Sequence, residues 1–274
     1  MDRRSRGERL VVVTRYLVEH PYQLIPLSWF ADKLGVAKSS LSEDVGLIKR
    51  TLGETGNGFI ETVSGAAGGV RYVPDLSGQG ARELVLELAA TLAEEKRYLP
   101  GGFLYLTDLL FTPALMERVG RVFAARFRSL EPEWVVTMET KGIPVALSTA
   151  RALGVPAVII RRESRVTEGP AVSINYLSGS TRRIQTMSLP RRALSPGARV
   201  VLVDDFMRAG GTARGMMDLM AEFGATVLAT GVLVALKEPQ TKLVPDFFSL
   251  LVLEETPEKG HELVVRPAAW LEGG

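Results

Sequence analysis

The stretch Val200-Val-Leu-Val-Asp-Asp-Phe-Met-Arg-Ala-Gly-Gly-Thr-Ala-Arg-Gly215 decides the fold predicted for this chain. Val200 to Val203 form an unbroken apolar run, which is typical of a strand buried on both faces of a parallel sheet. Two acids end that run, a loop with paired glycines follows, and apolar residues at helical spacing come after it. Ligands of parallel α/β sheets bind at the carboxyl ends of the strands, so this order predicts a ligand site on an α/β domain.

The acid pair and the glycine loop suit a phosphorylated sugar. Gly210 and Gly211 let backbone N–H groups approach phosphate oxygens closely, and the helix N-terminus behind them favours an anion. The carboxylates of Asp204 and Asp205 can accept hydrogen bonds from two ribose hydroxyls or help to hold Mg²⁺. A plain strand with a surface turn would not need an acid pair followed by Gly-Gly-Thr. The stretch therefore predicts a ribose-5-phosphate site.

A second loop of the same design comes earlier in the chain. Trp134 to Met138 predicts a strand, which leads through Glu139-Thr140-Lys141-Gly142-Ile143-Pro144 into a helix that ends at Leu153. A Lys-Gly loop between a strand and a helix predicts a second anion site. Further strands are predicted at 155–161, 171–177, 182–189, 226–236 and 248–253. Their alternation with helices indicates a mainly parallel sheet.

The first 74 residues follow a different pattern. Apolar spacing predicts three helices, at 9–20, 27–34 and 38–50, with Ser28 capping the second and Gly35 ending it. Apolar runs at 59–63 and 70–73 predict a hairpin. Two helices, a tight turn and a third helix with a polar first turn are typical of a helix-turn-helix, with the hairpin as its wing. A small helical domain for protein–protein contact is the alternative. The candidate DNA contacts are Lys38, Ser39, Ser40 and Arg71.

The composition fits two globular domains. Of the 274 residues, 46% are hydrophobic and 23% charged, which is enough material for two packed cores. Pro74 to Gly80 is rich in Pro, Gly and Ser, so the predicted domains are 1–74 and 75–274. No apolar run approaches the roughly 18 residues of a membrane span, and a cytoplasmic location is the default expectation. The absence of cysteine excludes disulfides and thiolate metal sites, and neither His20 nor His261 has a ligand cluster, so no metal site is predicted.

Positive charge is concentrated in one region of the second half. The net charge of the chain is only +2, but residues 161–192 hold seven arginines against two glutamates. Such a patch suits a phosphate-rich ligand or nucleic acid, and a solvated loop is the alternative. Residues 1–8 are predicted to be loose, with Arg3, Arg4 and Arg6 as a small basic arm. The segment 103–106 is interpreted as an aromatic strand for core or subunit packing, between helices predicted at 81–96 and 115–127.

Val200 to Thr212 resembles the phosphoribosyl pyrophosphate (PRPP) signature of type I phosphoribosyltransferases. The sequence departs from that signature at Ala209, where a hydroxyl residue is usual, and at Arg208, where a small residue is usual. The resemblance implies that the acid pair holds the ribose and that the pyrophosphate binds at the earlier loop, with Arg161 nearby and a flexible hood at 163–170. The implied PRPP-binding residues are Asp204, Asp205, Phe206, Met207, Arg208, Ala209, Gly210, Gly211, Thr212, Thr140, Lys141, Gly142 and Arg161.

Over nearly its whole length the chain resembles the purine operon repressor family of Gram-positive bacteria. The family fold is α/β: an N-terminal winged helix-turn-helix domain followed by a type I phosphoribosyltransferase-like domain with a mainly parallel sheet. The resemblance implies a homodimer on a double-stranded DNA operator, PRPP with Mg²⁺ as effector, no catalysis and no redox cofactor. Ala209 fits this implication, because the repressors carry alanine there too. An active purine phosphoribosyltransferase with an appended DNA-binding domain is the alternative. The segments that carry the resemblance are 37–40, 42–44, 65–70, 140–144, 172–176, 183–189 and 204–212.

Overall fold

The computed structural model describes residues 4–56, 58–65, 67–99, 103–163, 167, 169–177, 183–256 and 262–271. The N-terminal part has the predicted winged helix-turn-helix order. Helix α2 begins and ends where the sequence predicted, and Gly35 ends it in a left-handed conformation with φ 65°. The predicted cap Ser28 is wrong, because Pro26 occupies the cap position. The elements are α1 (Arg6–Glu19), α2 (Leu27–Leu34), α3 (Lys38–Glu54), β1 (Phe59–Val63) and β2 (Gly69–Val73).

Helix α1 begins three residues before the predicted start. Ser5 and Glu8 form a capping box, in which each side chain satisfies a backbone N–H of the other residue. Arg6 therefore belongs to a helix and not to a loose arm, and its Nε lies 3.2 Å from Asp44 Oδ1. Asp44, only 1% exposed, also accepts from Arg9 at 2.8 Å. These two ion pairs fasten α1 to α3 above a shared apolar core. Arg3 of the predicted arm lies outside the described residues.

The segment after the winged helix is more helical than predicted. The predicted linker 74–80 is shortened because α4 already begins at Gly78, and that helix ends at Leu92 instead of residue 96. The predicted strand at 103–106 is reduced to two residues, which pair with Tyr98 and Leu99 in a short hairpin. The elements are α4 (Gly78–Leu92), β3 (Tyr98–Leu99), β4 (Phe103–Leu104), α5 (Thr107–Leu110) and α6 (Pro113–Phe127).

A six-stranded sheet organises the rest of the chain, in the order β12-β11-β10-β9-β5-β6, and it confirms the predicted α/β fold. Its neighbours pair in parallel except for β12, which runs antiparallel to β11. The strand β12 was missed by the sequence analysis. The elements are β5 (Trp134–Met138), α7 (Gly142–Leu153), β6 (Ala157–Ile160), β7 (Ala171–Leu177), β8 (Ile184–Pro190), β9 (Arg199–Met207), α8 (Gly211–Glu222), β10 (Thr226–Leu236), β11 (Phe248–Thr256) and β12 (Glu262–Pro267).

The apolar run of β9 is buried on both faces, as the sequence predicted. Val201 and Val203 pack into the core shared with α6 and α7, whereas Val200 and Leu202 pack into the core shared with α8. This alternation explains why the run contains no polar residue. The strand also continues beyond its predicted end through Met207, because β10 is long enough to pair with it as far as Ala235.

The strands β7 and β8 do not join the main sheet, contrary to the expectation for 171–177 and 182–189. They form a separate antiparallel hairpin. Their polar residues explain the difference, since a central strand of this sheet must be apolar on both faces. Asn175 and Thr186, for example, are exposed and bonded to each other across the hairpin at 3.1 Å. Among the described residues, no helix is long and apolar enough to cross a membrane.

Candidate functional site

A cavity of about 460 Å³ lies at the carboxyl ends of β5 and β9, the two central strands that the sequence analysis singled out. The structure brings both predicted loops to this one cavity. Twelve of the thirteen predicted ligand residues line it: Thr140, Lys141, Gly142, Asp204, Asp205, Phe206, Met207, Arg208, Ala209, Gly210, Gly211 and Thr212.

The acid pair lines the cavity near the carboxyl end of β9. Asp204 is 9% exposed, and its Oδ1 accepts from the backbone N–H of Asp205 at 2.9 Å. Burial raises the pKa of Asp204 well above its usual value, and the negative charge of Asp205 raises it further. Burial also raises the pKa of Asp205, although nearby Lys141 opposes this. A ligand that brings hydroxyl donors or a cation to these carboxylates would relieve their burial.

The glycine loop lines the cavity and leads directly into α8. Gly210 has a φ of 84°, which a residue with a Cβ adopts only at a cost. Among the described residues, no side chain caps the first turn of α8, so its N-terminal dipole is available to an anion. The prediction that a helix begins at the glycine pair is therefore confirmed.

A lysine that the sequence analysis missed supports this loop from behind. Lys242 Nζ donates to the carbonyl oxygen of Arg208 at 2.7 Å and to that of Leu236 at 2.6 Å. The neighbouring Leu243 N–H donates to the Ala209 carbonyl at 2.9 Å. Burial lowers the pKa of Lys242. No local pattern announces this role, because it depends on a segment some thirty residues further along the chain folding back over the loop.

The second loop touches the acid pair directly. Gly142 begins α7, and a Cβ at that position would lie 2.5 Å from Asp204 Oδ1 and would also collide with Thr137 Oγ1. Only glycine fits this approach. The acid pair, predicted to hold the ribose, and the loop at Thr140 to Gly142, predicted to hold the pyrophosphate, are thus adjacent. A single sugar with an anionic group at each end requires this arrangement.

Arg161 is the predicted ligand residue that does not line the cavity; Arg162 does. Arg161 exchanges two backbone hydrogen bonds with Ser188, at 3.0 and 2.7 Å, and its Nη1 lies 3.5 Å from Glu139 Oε2. Successive side chains of an extended segment point to opposite sides, so an arginine one residue later in the chain faces the cavity when its neighbour does not. The backbone N–H of Arg162 also donates to Glu139 Oε1 at 2.7 Å. Of the predicted hood, residues 164–166 and 168 lie outside the described part of the chain.

The cavity has an apolar wall that the sequence analysis did not predict. Phe103, Leu104 and Leu106 line it, although the segment 103–106 was interpreted as packing material. Tyr176 donates from its hydroxyl to Gln185 Oε1 at 2.8 Å, and both residues also line the cavity. The aromatic residues of 103–106 were the available signal, but only the fold shows that Phe103, 55% exposed, faces the cavity.

The candidate DNA-binding surface lies at the start of α3. Lys38 and Ser39 are exposed and Ser40 is half-buried in its first turn, which no side chain among the described residues caps. Arg71 lies on β2, where its Nε donates to Glu61 Oε2 of β1 at 2.8 Å. The guanidinium is therefore already paired, which the sequence did not reveal.

A winged helix-turn-helix joined to an α/β domain with two anion loops and an acid pair defines a DNA-binding regulator built on a phosphoribosyltransferase fold. Residues 5–74 match the family described as "Bacterial purine repressor, N-terminal", and residues 106–263 match the "Phosphoribosyl transferase domain". The chain is 46% identical over 266 residues to the purine biosynthesis transcriptional repressor of Bacillus subtilis, covering 97% of this chain and 93% of that protein. It therefore belongs to the bacterial purine repressor family. The predicted division at residue 74 stays a prediction.

Other relatives have either regulatory or enzymatic names. A purine biosynthesis transcriptional activator of Lactococcus lactis is 43% identical, covering 91% of this chain and 92% of that protein. A xanthine phosphoribosyltransferase of Deinococcus deserti is 36% identical over 140 residues, covering 50% of this chain and 72% of the enzyme. The structure of adenine phosphoribosyltransferase from Thermoanaerobacter pseudethanolicus superposes with a TM-score of 0.53 at 23% identity, covering 61% of this chain and 99% of that one. This last likeness shows the fold of the C-terminal part alone.

Proposed function

We propose that this chain represses purine biosynthesis genes by binding their operators and that PRPP in the C-terminal cavity releases it from DNA. The observation that supports the proposal best is one cavity of about 460 Å³ in which an acid pair meets two anion loops. Its volume lies within the roughly 300–1,000 Å³ usual for small-molecule sites. A protein that acts on bacterial operators works in the cytoplasm, where we expect this one.

The three chemical parts of PRPP match three parts of the cavity. Asp204 and Asp205 accept hydrogen bonds from the ribose hydroxyls, and the N-terminus of α8 with the 206–212 loop binds the 5′-phosphate. Thr140 to Gly142 bind the pyrophosphate, with the Lys141 ammonium as its counter-charge. Bound hydroxyls add donors to those that the backbone supplies to the acid pair, and this favours a ligand with free ribose hydroxyls.

Mg²⁺ fits this site as a companion of the ligand. The described residues contain no group of three or more His, Cys, Asp or Glu side chains that could hold the ion by themselves. A magnesium ion held by one carboxylate of the pair, the diphosphate oxygens and waters is the usual arrangement for this metal. When bound, it neutralises part of the diphosphate charge; the protein residues orient the ribose and exclude water.

The relatives that cover more than nine-tenths of this chain are named transcriptional regulators, which supports binding of PRPP without turnover. Ala209 also lacks the hydroxyl that the enzymes' signature usually has at that position. The second candidate function is purine phosphoribosyl transfer. The apolar wall at Phe103 and Leu106 favours it, because the cavity extends from the acid pair to a surface on which a planar base could stack.

The proposal also covers whether the protein represses or activates transcription and how its chains assemble on DNA. The Bacillus subtilis relative is named a repressor and the Lactococcus lactis relative an activator, so the same architecture carries both names. We expect repression, with a homodimer that presents two copies of α3 to half-sites about 34 Å apart. Run-off transcription from a purine promoter, with and without added protein, measures whether the protein represses or activates that promoter.

Two measurements test the ligand assignment. Calorimetric titration with Mg²⁺ and PRPP should give a single site per chain, which the Asp204→Asn, Asp205→Asn double variant loses while Asp218→Asn on the exposed face of α8 keeps it. Pyrophosphate release should stay at background with adenine, guanine, hypoxanthine or xanthine. Undiminished affinity in the double variant contradicts the site, and base-dependent release contradicts the non-enzymatic function.

A further inference from the structure

Helix α7 reaches from the candidate ligand cavity to the winged helix. A Cβ at its first residue, Gly142, would lie 2.5 Å from Asp204 Oδ1. The helix ends at Gly154, where φ is 69°, and a Cβ there would lie 2.8 Å from Tyr22 Cβ and 2.9 Å from Tyr22 Cγ. At about 1.5 Å per residue, its 12 residues make a rod about 18 Å long. One helix therefore contacts the acid pair at one end and the N-terminal part at the other.

The surroundings of α7 keep it rigid. Val145 and Ala146 are fully buried, and Gly120 of α6 approaches so closely that a Cβ on it would lie 2.8 Å from Ser148 Cβ. Close-packed helices transmit a displacement along their length because their neighbours leave no space to absorb it. A movement of the diphosphate loop at the N-terminal end therefore reaches Gly154.

Tyr22, the residue that Gly154 touches, is held in an unfavourable state. Its φ is 62°, in the left-handed region where a residue with a large side chain is strained. Its hydroxyl is buried and has no hydrogen-bond partner among the described residues. Burial raises the pKa of this phenol, with the charges of Arg128, Arg71, Asp75 and Glu61 nearby. The left-handed φ and the unbonded hydroxyl both destabilise the arrangement in which Tyr22 packs against Gly154.

The loop that carries Tyr22 is bonded to the wing. The backbone N–H of Tyr22 donates to the Tyr72 carbonyl at 2.9 Å, and Ile25 and Val70 exchange two hydrogen bonds, at 2.9 and 3.0 Å. Both partners lie on β2, which pairs along its length with β1 to form the wing. A displacement of Tyr22 therefore moves the strand that presents Arg71 to DNA.

We propose that α7 and Tyr22 carry the effector signal from the cavity to the wing. This inference rests on the proposed function, in which PRPP weakens operator binding. Ligand at Thr140 to Gly142 shifts the N-terminal end of α7, Gly154 presses on the Tyr22 ring, and the loop and β2 leave their DNA-binding position. A different mechanism would let the ligand and DNA compete for the arginines of 161–192. That mechanism does not need the Tyr22 ring against Gly154, whereas the route through α7 does.

The first experiment measures the operator Kd with and without Mg²⁺-PRPP for the wild type, Tyr22→Gly and the control Leu24→Gly. Glycine suits the left-handed φ and removes the ring, while Leu24 lies in the same loop and is 36% exposed. In Tyr22→Gly we expect PRPP affinity and unliganded operator affinity within about twofold of wild type. The effect of PRPP on operator Kd, typically about 5- to 150-fold for an allosteric pair, should fall below twofold. Leu24→Gly should keep the wild-type ratio.

A second variant tests the same contact by pushing instead of removing. Gly154→Ala places a methyl group against the Tyr22 side chain and also strains the left-handed backbone at residue 154. It should weaken operator binding at least about fivefold without any PRPP, and adding Tyr22→Gly should restore most of that loss. Three results would overturn this inference and leave the proposed function standing. They are an unchanged PRPP effect in Tyr22→Gly, a lost PRPP effect in Leu24→Gly, and a double variant that binds operator as weakly as Gly154→Ala. A wild-type chain whose operator affinity ignores PRPP overturns the proposed function itself and this inference with it.

Discussion

Replacing Asp204 by asparagine should stabilise the unliganded protein while it destroys the ligand site. Asp204 is buried and Asp205 half-buried, and their charges interact, since the negative charge of Asp205 raises the pKa of Asp204. Two unit charges about 4 Å apart repel by about 4 kcal/mol at an effective dielectric constant of about 20, and a proton shared between them reduces this. We therefore expect Asp204→Asn to raise the free energy of unfolding by about 1–3 kcal/mol at pH 7.

The pH dependence fixes the sign of this prediction. Because the folded protein raises the pKa of Asp204 above the ordinary 3.8, the ionised carboxyl costs stability once the pH exceeds that value. The cost grows until the pH passes the folded pKa and is then constant. The advantage of Asp204→Asn should thus be larger at pH 7 than at pH 4, and it should vanish as the pH falls below 3.8.

Urea unfolding at pH 7 and at pH 4, followed by tryptophan fluorescence to which Trp134 beside β9 contributes, measures this difference. Asp218→Asn is the control, because that carboxyl is half-exposed and its ion pair with Arg214 contributes little. A less stable Asp204→Asn variant at pH 7, or an equal gain at both pH values, would refute the electrostatic reasoning.

The other predictions concern the DNA surface and two close contacts. Lys38→Ala should weaken operator binding and lower the slope of log K against log salt by about one unit; an unchanged slope in a filter-binding titration would mean that α3 does not meet DNA there. Glu61→Ala should strengthen operator binding, because it frees Arg71 from its 2.8 Å pair, and weaker binding would contradict that role for the wing. Tyr22→Phe should raise the free energy of unfolding by about 1 kcal/mol, since the hydroxyl that it removes is buried without a partner among the described residues; calorimetric unfolding that shows a loss would contradict this. Gly142→Ala should cost about 1–3 kcal/mol of stability and most of the PRPP affinity, because its methyl group would collide with Asp204 of the acid pair. If a calorimetric titration of this variant shows the full PRPP affinity, the diphosphate binds elsewhere.

The sequence predicted the elements whose pattern is set locally. The bounds of β5, β10 and α2 were correct, because apolar runs and the Gly35 stop are properties of a few neighbouring residues. The twelve loop residues that share the cavity were also predictable, since parallel strands place their carboxyl ends on one side of a sheet.

What the sequence did not show depends on residues far apart in the chain. The strands β7 and β8 were assigned to the main sheet, although their polar residues do not suit a strand buried on both faces, and their pairing with each other is seen only in the fold. Lys242 and Phe103 reach the site only through the fold. Arg161 was predicted to bind the ligand, but Arg162 lines the cavity, because the side towards which an extended residue points depends on its pairing, here of Arg161 with Ser188.

We propose that occupancy of this cavity releases the protein from DNA, and an operator titration with and without Mg²⁺-PRPP on the wild type and on Asp204→Asn decides whether it does. We expect PRPP to weaken operator binding by the wild type about 5- to 150-fold, and Asp204→Asn to bind operator normally at every PRPP concentration. Linkage also requires that operator weaken PRPP binding by the same factor. Tighter operator binding with PRPP, or release of Asp204→Asn at the same PRPP concentration as the wild type, would contradict the claim.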